Sequence, residues 1–309
     1  MKLLITGAWK PTLEQLRYIE KLGHTSVLMP DEKGVMPCPY WEVEGVICNG
    51  LFLYHPIEKF TSLTYVQLTS AGFDRMPMDY AVEKGITVHN ARGVYSVPMA
   101  EFALSSVLSV YKQTDYFRAA QSGHRWDKHR GLRELCGKRV CIIGCGSVGT
   151  ECAKRFAAMG CEVIGVDVCP RENLHYTVMH PVDALNAVLL TADVVILTLP
   201  LTDETIHMMG REQLELLPDG CVLVNVARGG VLDTAALVET LEKRNDLTAI
   251  LDVFEEEPLT PQSPLWDLPN AVLTPHNSFV GEGNGKRLYD LIKENLVYES
   301  RRNKEHSQG

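Results

Sequence analysis

An α/β fold of two parallel-sheet domains is what this sequence predicts, and three observations carry the prediction. Short apolar runs of strand length alternate with helical stretches along the whole chain. Residues 138–167 join one such run to a glycine-rich turn, a helix and a second run that ends in an acid. At 309 residues the chain can bury two cores, and 45% hydrophobic with 22% charged residues is the composition of an ordinary globular protein.

Taken in order, residues 2–6 predict a strand and 13–22 an amphipathic helix stopped by Gly23. Strands follow over 27–29, 43–48 and 65–69. The last two run into turn signals, Asn49-Gly50 and Ser70-Ala71-Gly72-Phe73-Asp74. A helix over 78–84, closed by Gly85, leads to a strand over 86–89. This block reads as a small parallel α/β unit whose strand-end loops face a crevice. A turn-rich junction over 90–96 precedes Pro98, which starts a helix through Met99, Phe102, Ala103, Val107 and Val110, so the hinge is expected there. Residues 121–134 are polar, hold His124, Trp126 and His129, and read as a surface loop or a dimer arm.

The apolar run 140–143 is a buried parallel strand by composition. Gly144-Cys145-Gly146-Ser147-Val148-Gly149 follows at once. Beyond it Val148, Cys152, Phe156 and Met159 recur at three- and four-residue intervals and mark a helix that Gly160 closes. Gly144 allows the tight turn, Gly146 lets the backbone approach a pyrophosphate, and Gly149 lets helix and strand pack closely. The helix N-terminus offers its free N–H groups to the anion. A second run, 163–166, ends in Asp167, about 18 residues past the last glycine, where a carboxylate can bind the adenosine ribose hydroxyls. That charge disfavours a 2′-phosphate, so NAD is expected over NADP; Arg171 blunts the preference without reversing it. The glycine triplet alone also fits any glycine-rich turn. Strand, helix, second strand and acid in register single out a dinucleotide site.

Further along, 182–190 reads as a helix, 194–199 as a strand, 214–217 as helical and 222–226 as a strand entering Ala227-Arg228-Gly229-Gly230. Asp233 caps a helix through Leu241, and strands follow over 248–251 and 271–273. A long helix over 286–298 precedes a polar tail expected to be disordered. The domains are therefore expected to be 1–94, completed by 281–309, and 95–280.

Charge and composition exclude several classes. A net charge of −9 argues against nucleic acid and anionic membrane as partners, and no window has the apolar length of a membrane span. The N-terminal apolar run is too brief for a signal peptide. Nine cysteines without a C-x-x-C pair predict free thiols, no structural zinc or other metal, and a reducing cytoplasm. In open parallel sheets ligands bind outside the carboxyl ends of strands. Arg228, Asp252, Glu257 and His276 fall at such ends. Each alone has a bland reading as surface arginine, acidic loop or ordinary histidine. Together they offer an arginine for a carboxylate, a histidine to move a proton and an acid to steady it.

At this point the sequence resembles the D-isomer-specific 2-hydroxyacid dehydrogenases over nearly its whole length. The likeness rests on Ser70 to Asp74, Asn90 to Glu101, Gly144 to Gly149, Leu199-Pro-Leu-Thr202, Asn225 to Gly229, Leu251 to Pro258 and Thr274-Pro-His276. It implies two Rossmann/flavodoxin-like domains with a crevice between them, and NADH-linked hydride transfer at C2 of a D-2-hydroxy or 2-keto acid. Arg228 would hold the substrate carboxylate, and His276 would be the acid/base. Three adjacent glutamates leave the histidine's partner open; the family's position is the one before proline, Glu257, whose charge would keep His276 protonated by raising its pKa. The implied cofactor contacts are Ser96, Gly144, Gly146, Ser147, Val148, Gly149, Asp167, Pro200, Thr205, Ala227 and Asp252. The implied substrate contacts are Asn49, Ala71, Gly72 and Arg228. A homodimer is also implied. With nothing after residue 309, an appended regulatory module is not expected.

The sequence departs from the family in two places. Thr198-Leu199 stands where a histidine or other polar residue often precedes Pro-Leu-Thr, and Asn277-Ser278-Phe279 follows His276. The loop 49–55 is apolar and aromatic without arginine or lysine, which predicts a small or apolar 2-keto acid and disfavours a phosphorylated one, with Lys59, Arg75 and Arg92 left as phosphate contacts if the loop folds otherwise. Two rivals remain: a non-catalytic NADH-binding sensor on the same fold, and a phosphite-type dehydrogenase.

Overall fold

A computed structural model describes residues 1–306, with side chains through residue 301. The chain divides into two compact units, 1–95 with 281–309 and 96–280.

The first unit opens with β1 (Lys2–Thr6), α1 (Leu13–Lys21) and β2 (Thr25–Met29). Thr12 and Gln15 close a capping box at the start of α1, which answers two of the helix's orphan N–H groups. Strands β3 (Gly45–Cys48) and β4 (Tyr65–Leu68), helix α2 (Met78–Glu83) and β5 (Thr87–His89) follow. The sheet order is β2-β1-β3-β4-β5, parallel at every pairing. That is the flavodoxin-like order of a doubly wound sheet. Strands β3 and β4 are buried along their whole length, which is why they read as continuous apolar runs rather than alternating ones.

The second unit begins with α3 (Ser96–Tyr111) and α4 (Thr114–Ser122). Then come β6 (Arg139–Ile143), α5 (Ser147–Ala158), β7 (Glu162–Val166), β8 (Val178–His180), α6 (Leu185–Leu189) and β9 (Val194–Leu197). The last part holds α7 (Arg211–Glu215), β10 (Val222–Asn225), α8 (Thr234–Lys243), β11 (Thr248–Leu251) and β12 (Ala271–Leu273). Its seven strands are ordered β12-β11-β10-β9-β6-β7-β8, again all parallel. The order reverses between β6 and β9, so the turn after β6 lies at the topological switch point. One core of this unit gathers Ile143, Val195, Leu223 and Leu251; the other gathers Ile142, Phe156, Ile196 and Val224 from the opposite strand faces.

The chain then returns to the first unit as α9 (Asn284–His306). Leu288, Ile292 and Leu296, spaced on one helical face, pack into a core with Leu3, Ile5, Ile47 and Tyr65.

Four expectations change. The final helix continues to His306 because the stretch after Tyr298 has no glycine or proline and is rich in strong helix formers; of the tail expected to be disordered, residues 307–309 lie outside the described residues. Helix α4 and the three-residue edge strand β8 were not expected, since neither carries an apolar run. The helix expected over 182–190 is a 3₁₀ turn, Val182–Ala184, followed by α6. Helix α7 begins at Arg211 and ends before the expected Leu216 and Leu217. All nine cysteines are free thiols. Among the described residues no helix is long and apolar enough to cross a membrane.

Candidate active site

The glycine loop is built by close approach. Gly144 has φ +89°, and a Cβ there would lie 2.7 Å from the Leu199 backbone. Only glycine satisfies both constraints. A Cβ on Gly149 would come within 2.3 Å of the Gly144 carbonyl oxygen, so the third glycine lets α5 pack on β6. Thr198 donates to the same carbonyl at 2.5 Å, a role for the hydroxyl in the position that departs from the family pattern. Gly146 is the N-cap of α5 and supplies no side-chain cap, which leaves the first-turn N–H groups near Ser147 and Val148 without one.

Asp167 stands at the end of β7, and its carboxylate accepts from the Cys145 N–H at 2.7 Å and the Cys169 N–H at 2.9 Å. Each oxygen keeps a further lone pair for a ribose hydroxyl. A positive-φ turn, a Cβ-free packing contact, an uncapped helix start and an acid after the next strand fit a dinucleotide.

Pro200 is exposed, and its carbonyl accepts from the buried Thr205 hydroxyl at 2.7 Å; that hydroxyl also receives the Thr202 N–H at 2.7 Å. The Thr205 side chain thus closes the loop after β9. Ser96 is 2% exposed, and its hydroxyl has no hydrogen-bond partner among the described residues.

The remaining polar groups sit after β10, β11 and β12. Asn225 shapes the turn after β10: its carboxamide accepts the Ala227 N–H at 3.0 Å and donates to the Arg228 carbonyl at 3.1 Å. Arg228 itself donates to the Ala227 carbonyl at 2.8 Å and is half-buried. A Cβ on the next residue, Gly229, would lie 1.8 Å from the backbone carbon of Phe254. The glycine therefore lets the loop after β11 pass directly against the arginine's turn.

Asp252, fully buried, is the hub of the last two loops. Its carboxylate accepts from the Thr274 hydroxyl at 2.6 Å and from the N–H groups of Asn277 at 2.8 Å and Ser278 at 2.9 Å. Its carbonyl accepts the His276 N–H at 2.7 Å. Three successive N–H groups converge on one residue, and between them they hold His276 at φ +50°, a region that side chains other than glycine rarely occupy. A fully buried carboxylate needs such a shell of donors.

Out of this loop the His276 ring meets Glu257. Nδ1 lies 2.7 Å from Glu257 Oε2, with the side chains 42% and 36% exposed, so the pair is open to ligands. Of the three glutamates left open by the sequence, Glu257 is the one that reaches His276. Its other oxygen accepts the Phe254 N–H at 3.0 Å, which fixes the carboxylate. Phe279 stands edge-on to the ring at 5.9 Å. The Glu257–Pro258 peptide is cis.

In the first unit Asn49, Ala71 and Gly72 lie just past the carboxyl ends of β3 and β4. Asn90 donates to the Ala71 carbonyl at 2.5 Å and Ser70 to the Gly72 carbonyl at 3.0 Å. Glu32, which no motif in the sequence marks, accepts the N–H groups of Asn49 at 2.7 Å and Gly50 at 2.8 Å. Asn225 and Glu32 carry no reacting group; each acts by bonding the backbone of a site loop, Asn225 at Ala227 and Arg228 and Glu32 at Asn49 and Gly50, a pairing that residue type alone does not signal.

The second unit is a doubly wound dinucleotide-binding domain with a histidine–glutamate dyad at its strand ends. Residues 104–278 match the model of the D-isomer specific 2-hydroxyacid dehydrogenase NAD binding domain, and the chain belongs to that family. It is similar to the D-3-phosphoglycerate dehydrogenase of Methanocaldococcus jannaschii, 35% identical over 243 residues that cover 78% of this chain and 46% of the relative. It is similar to the glyoxylate reductase of Aeropyrum pernix, 33% identical over 245 residues that cover 76% of this chain and 72% of the relative. Among solved structures it is similar to a glyoxylate reductase from Paecilomyes thermophila, with TM-score 0.82, 25% identity and 97% and 95% of the two chains covered. The chain spans about half the length of the D-3-phosphoglycerate dehydrogenases it matches. NAD is the cofactor that the matched domain binds.

Proposed function

We propose that this protein is an NAD-dependent oxidoreductase that interconverts a 2-keto acid and the D-2-hydroxy acid. The observation that carries the reading is the open His276–Glu257 pair, held on loops that Asp252 and Gly229 fix in place. The glycine loop with Ser147 and Val148 would hold the pyrophosphate, and Asp167 the adenosine ribose. Ser96, Pro200, Thr205, Ala227 and Asp252 would line the rest of the cofactor site. When bound, NADH supplies the hydride.

His276 would donate its Nε2 proton to the carbonyl oxygen as that oxygen gains charge, and take it back in the reverse direction. Glu257 would orient the ring through Nδ1 and balance its charge while it is protonated. Arg228 would hold the substrate carboxylate; from the first unit, the N–H groups of Ala71 and Gly72 would be carboxylate donors and Asn49 a contact of the acid. A dimer of two copies is part of the same reading, by family.

For the substrate we infer a small or apolar unphosphorylated acid. The Glu32 carboxylate bonded to Asn49 and Gly50 adds a negative charge beside a loop whose own residues include no lysine or arginine; the cations against it are Arg75, beside Gly50, and Lys33, over the Tyr54 ring, so the phosphorylated acid is the competing substrate in the panel. The relatives include enzymes named for glyoxylate and for phosphoglycerate, so turnover must decide. The test follows NADH oxidation against a panel of 2-keto acids for the parent and His276→Ala. Turnover that the variant loses by about a hundredfold or more, with NADH binding kept, is expected. NADH binding without turnover of any acid refutes the enzyme reading in favour of a sensor, and preference for phosphohydroxypyruvate refutes the substrate class.

A further inference from the structure

The loop after β11 carries a second histidine–glutamate pair. Glu255 Oε2 lies 3.0 Å from His207 Nε2, and Glu255 Oε1 accepts the N–H of Thr234, the first residue of α8, at 2.8 Å. Bonds to the Thr234 N–H and to His207 hold the Glu255 carboxyl below its usual range, although its burial opposes this. The partners are not loose surface groups. His207 sits at φ +51° and donates its own N–H to the Gly230 carbonyl at 2.8 Å. Two residues on, the Met209 N–H bonds the Val231 carbonyl at 3.0 Å, so this segment runs along the chain that leaves Arg228.

We propose that Glu255 and His207 are positioning residues for the acid/base dyad. The path is short and wholly within the second unit. His207 and Thr234 fix the Glu255 carboxylate, and Gly229 lets the Phe254–Glu255 backbone lie against the arginine's turn. The Phe254 N–H then holds Glu257 Oε1 at 3.0 Å, and Glu257 Oε2 holds His276 at 2.7 Å. One oxygen of Glu257 is thus referenced to backbone that Glu255 anchors, and the other to the ring. With side chains 44% and 37% exposed, the His207–Glu255 pair adds little to stability, but it can set where Glu257 stands. Misplacement of a reacting group by about 1 Å can cost about a hundredfold in rate, so a partial shift here should be visible.

The inference rests on the enzyme reading for its kinetic arm only. Glu255→Ala, Glu255→Gln and His207→Ala are compared with the parent, each also in a Glu257→Gln background. The expected result is a fall in kcat of about tenfold for Glu255→Ala, with KM for the keto acid and the NADH Kd within about threefold. Gln at 255 keeps an acceptor for Thr234 and should restore most of the rate. In the Glu257→Gln background the same Ala change should cost less than about twofold, because its effect passes through Glu257. Equal costs in both backgrounds, or equal failure of Ala and Gln, overturn the proposal. Should Glu255→Ala not fold, His207→Ala carries the test with the Thr234 bond intact. The second readout needs no turnover: the downfield Nδ1–H proton resonance of His276, assigned by its loss in His276→Ala, should sharpen in the parent and weaken in Glu255→Ala. If no acid turns over, the enzyme reading falls while this resonance still judges the pair; an unchanged resonance refutes it.

Discussion

Replacing Asp252 with asparagine changes one atom type at a fully buried site, and the structure says what it costs. The new carboxamide can keep its oxygen toward the Thr274 hydroxyl and the Asn277 N–H, but its NH2 then faces the Ser278 N–H, now 2.9 Å from an acceptor. Ser278 is 4% exposed, so water cannot replace the lost partner. One charge-assisted bond is worth about 1.5–3 kcal/mol, and a buried donor left unpaired costs about 1–3. Removing a buried charge offsets part of this, which leaves about 2–4 kcal/mol. The second unit spans 96–280, or 280 − 96 + 1 = 185 residues, a size at which 1 kcal/mol moves the midpoint by about 2–4 °C. A fall in Tm on the order of 10 °C is therefore expected by calorimetry. Activity should fall by about a hundredfold, because the positive-φ backbone at His276 is held by the same donors. A midpoint within about 2 °C of the parent, together with kcat within about twofold, would refute the claim that Asp252 holds this loop.

The other predictions can be run on the same preparation. Gly229→Ala puts a Cβ 1.8 Å from the Phe254 backbone; calorimetry should register a loss of about 3 kcal/mol or more, and an unchanged melt would mean the two loops are not in contact. Asp167→Asn removes the charge facing a 2′-phosphate and should raise the NADPH-to-NADH ratio of kcat/KM by roughly tenfold, about 1.4 kcal/mol; a ratio that stays put assigns the preference elsewhere. His24, 6% exposed, is held by burial, and secondarily by the Met1 amino group, at about 4 instead of 6.5. Its folded pKa is depressed, so the unfolded chain binds more protons between those values, and stability is lost as pH falls from about 6.5 toward 4. Unfolding at pH 7 and pH 5 should differ by about 1–2 kcal/mol through this group, a difference that His24→Gln should remove.

Most of the fold was legible because its signals are local. Runs such as Val222 to Asn225 are buried on both faces and so read as strands without any knowledge of their neighbours. The turn at Gly144 and the close packing at Gly149 were legible for the same reason: backbone geometry restricts the residue type at each. Strand β8 was not, because three edge residues with the most exposed one first leave no periodicity to detect. At the site the residue types could be read from the residues themselves, while the His276–Glu257 pairing came only from the family resemblance and the His207–Glu255 pairing from neither. Glu255 finds its histidine 48 residues before it and Glu257 finds its own 19 residues after it. No local rule tells three consecutive glutamates apart. In the structure the partners separate them: Glu255 bonds His207 and the Thr234 N–H, and Glu257 bonds the Phe254 N–H and His276.

The segment from Asp252 to Glu257 places carboxylates in three different electrostatic settings within six residues. Asp252 is sealed from water and surrounded by donors, so its charge acts on the loop that bears His276. Glu255 is partly open between a helix start and a histidine, and its interactions are with backbone and a neighbouring loop. Glu257 is open, bonded on one side to backbone and on the other to an imidazole that ligands can reach. Burial decides which role each acid can take. A sealed carboxylate whose two oxygens are bonded to three donors cannot accompany a proton transfer without losing the fold that positions it. An open one can accompany the transfer, but cannot by itself hold a strained backbone in place. The three neutralising substitutions should therefore separate by observable. Asp252→Asn moves the melting temperature and the rate together. Glu255→Gln leaves both near the parent, while Glu255→Ala moves the rate alone. Glu257→Gln moves the rate and its dependence on pH while the melt stays close to that of the parent, since an exposed pair adds little to stability.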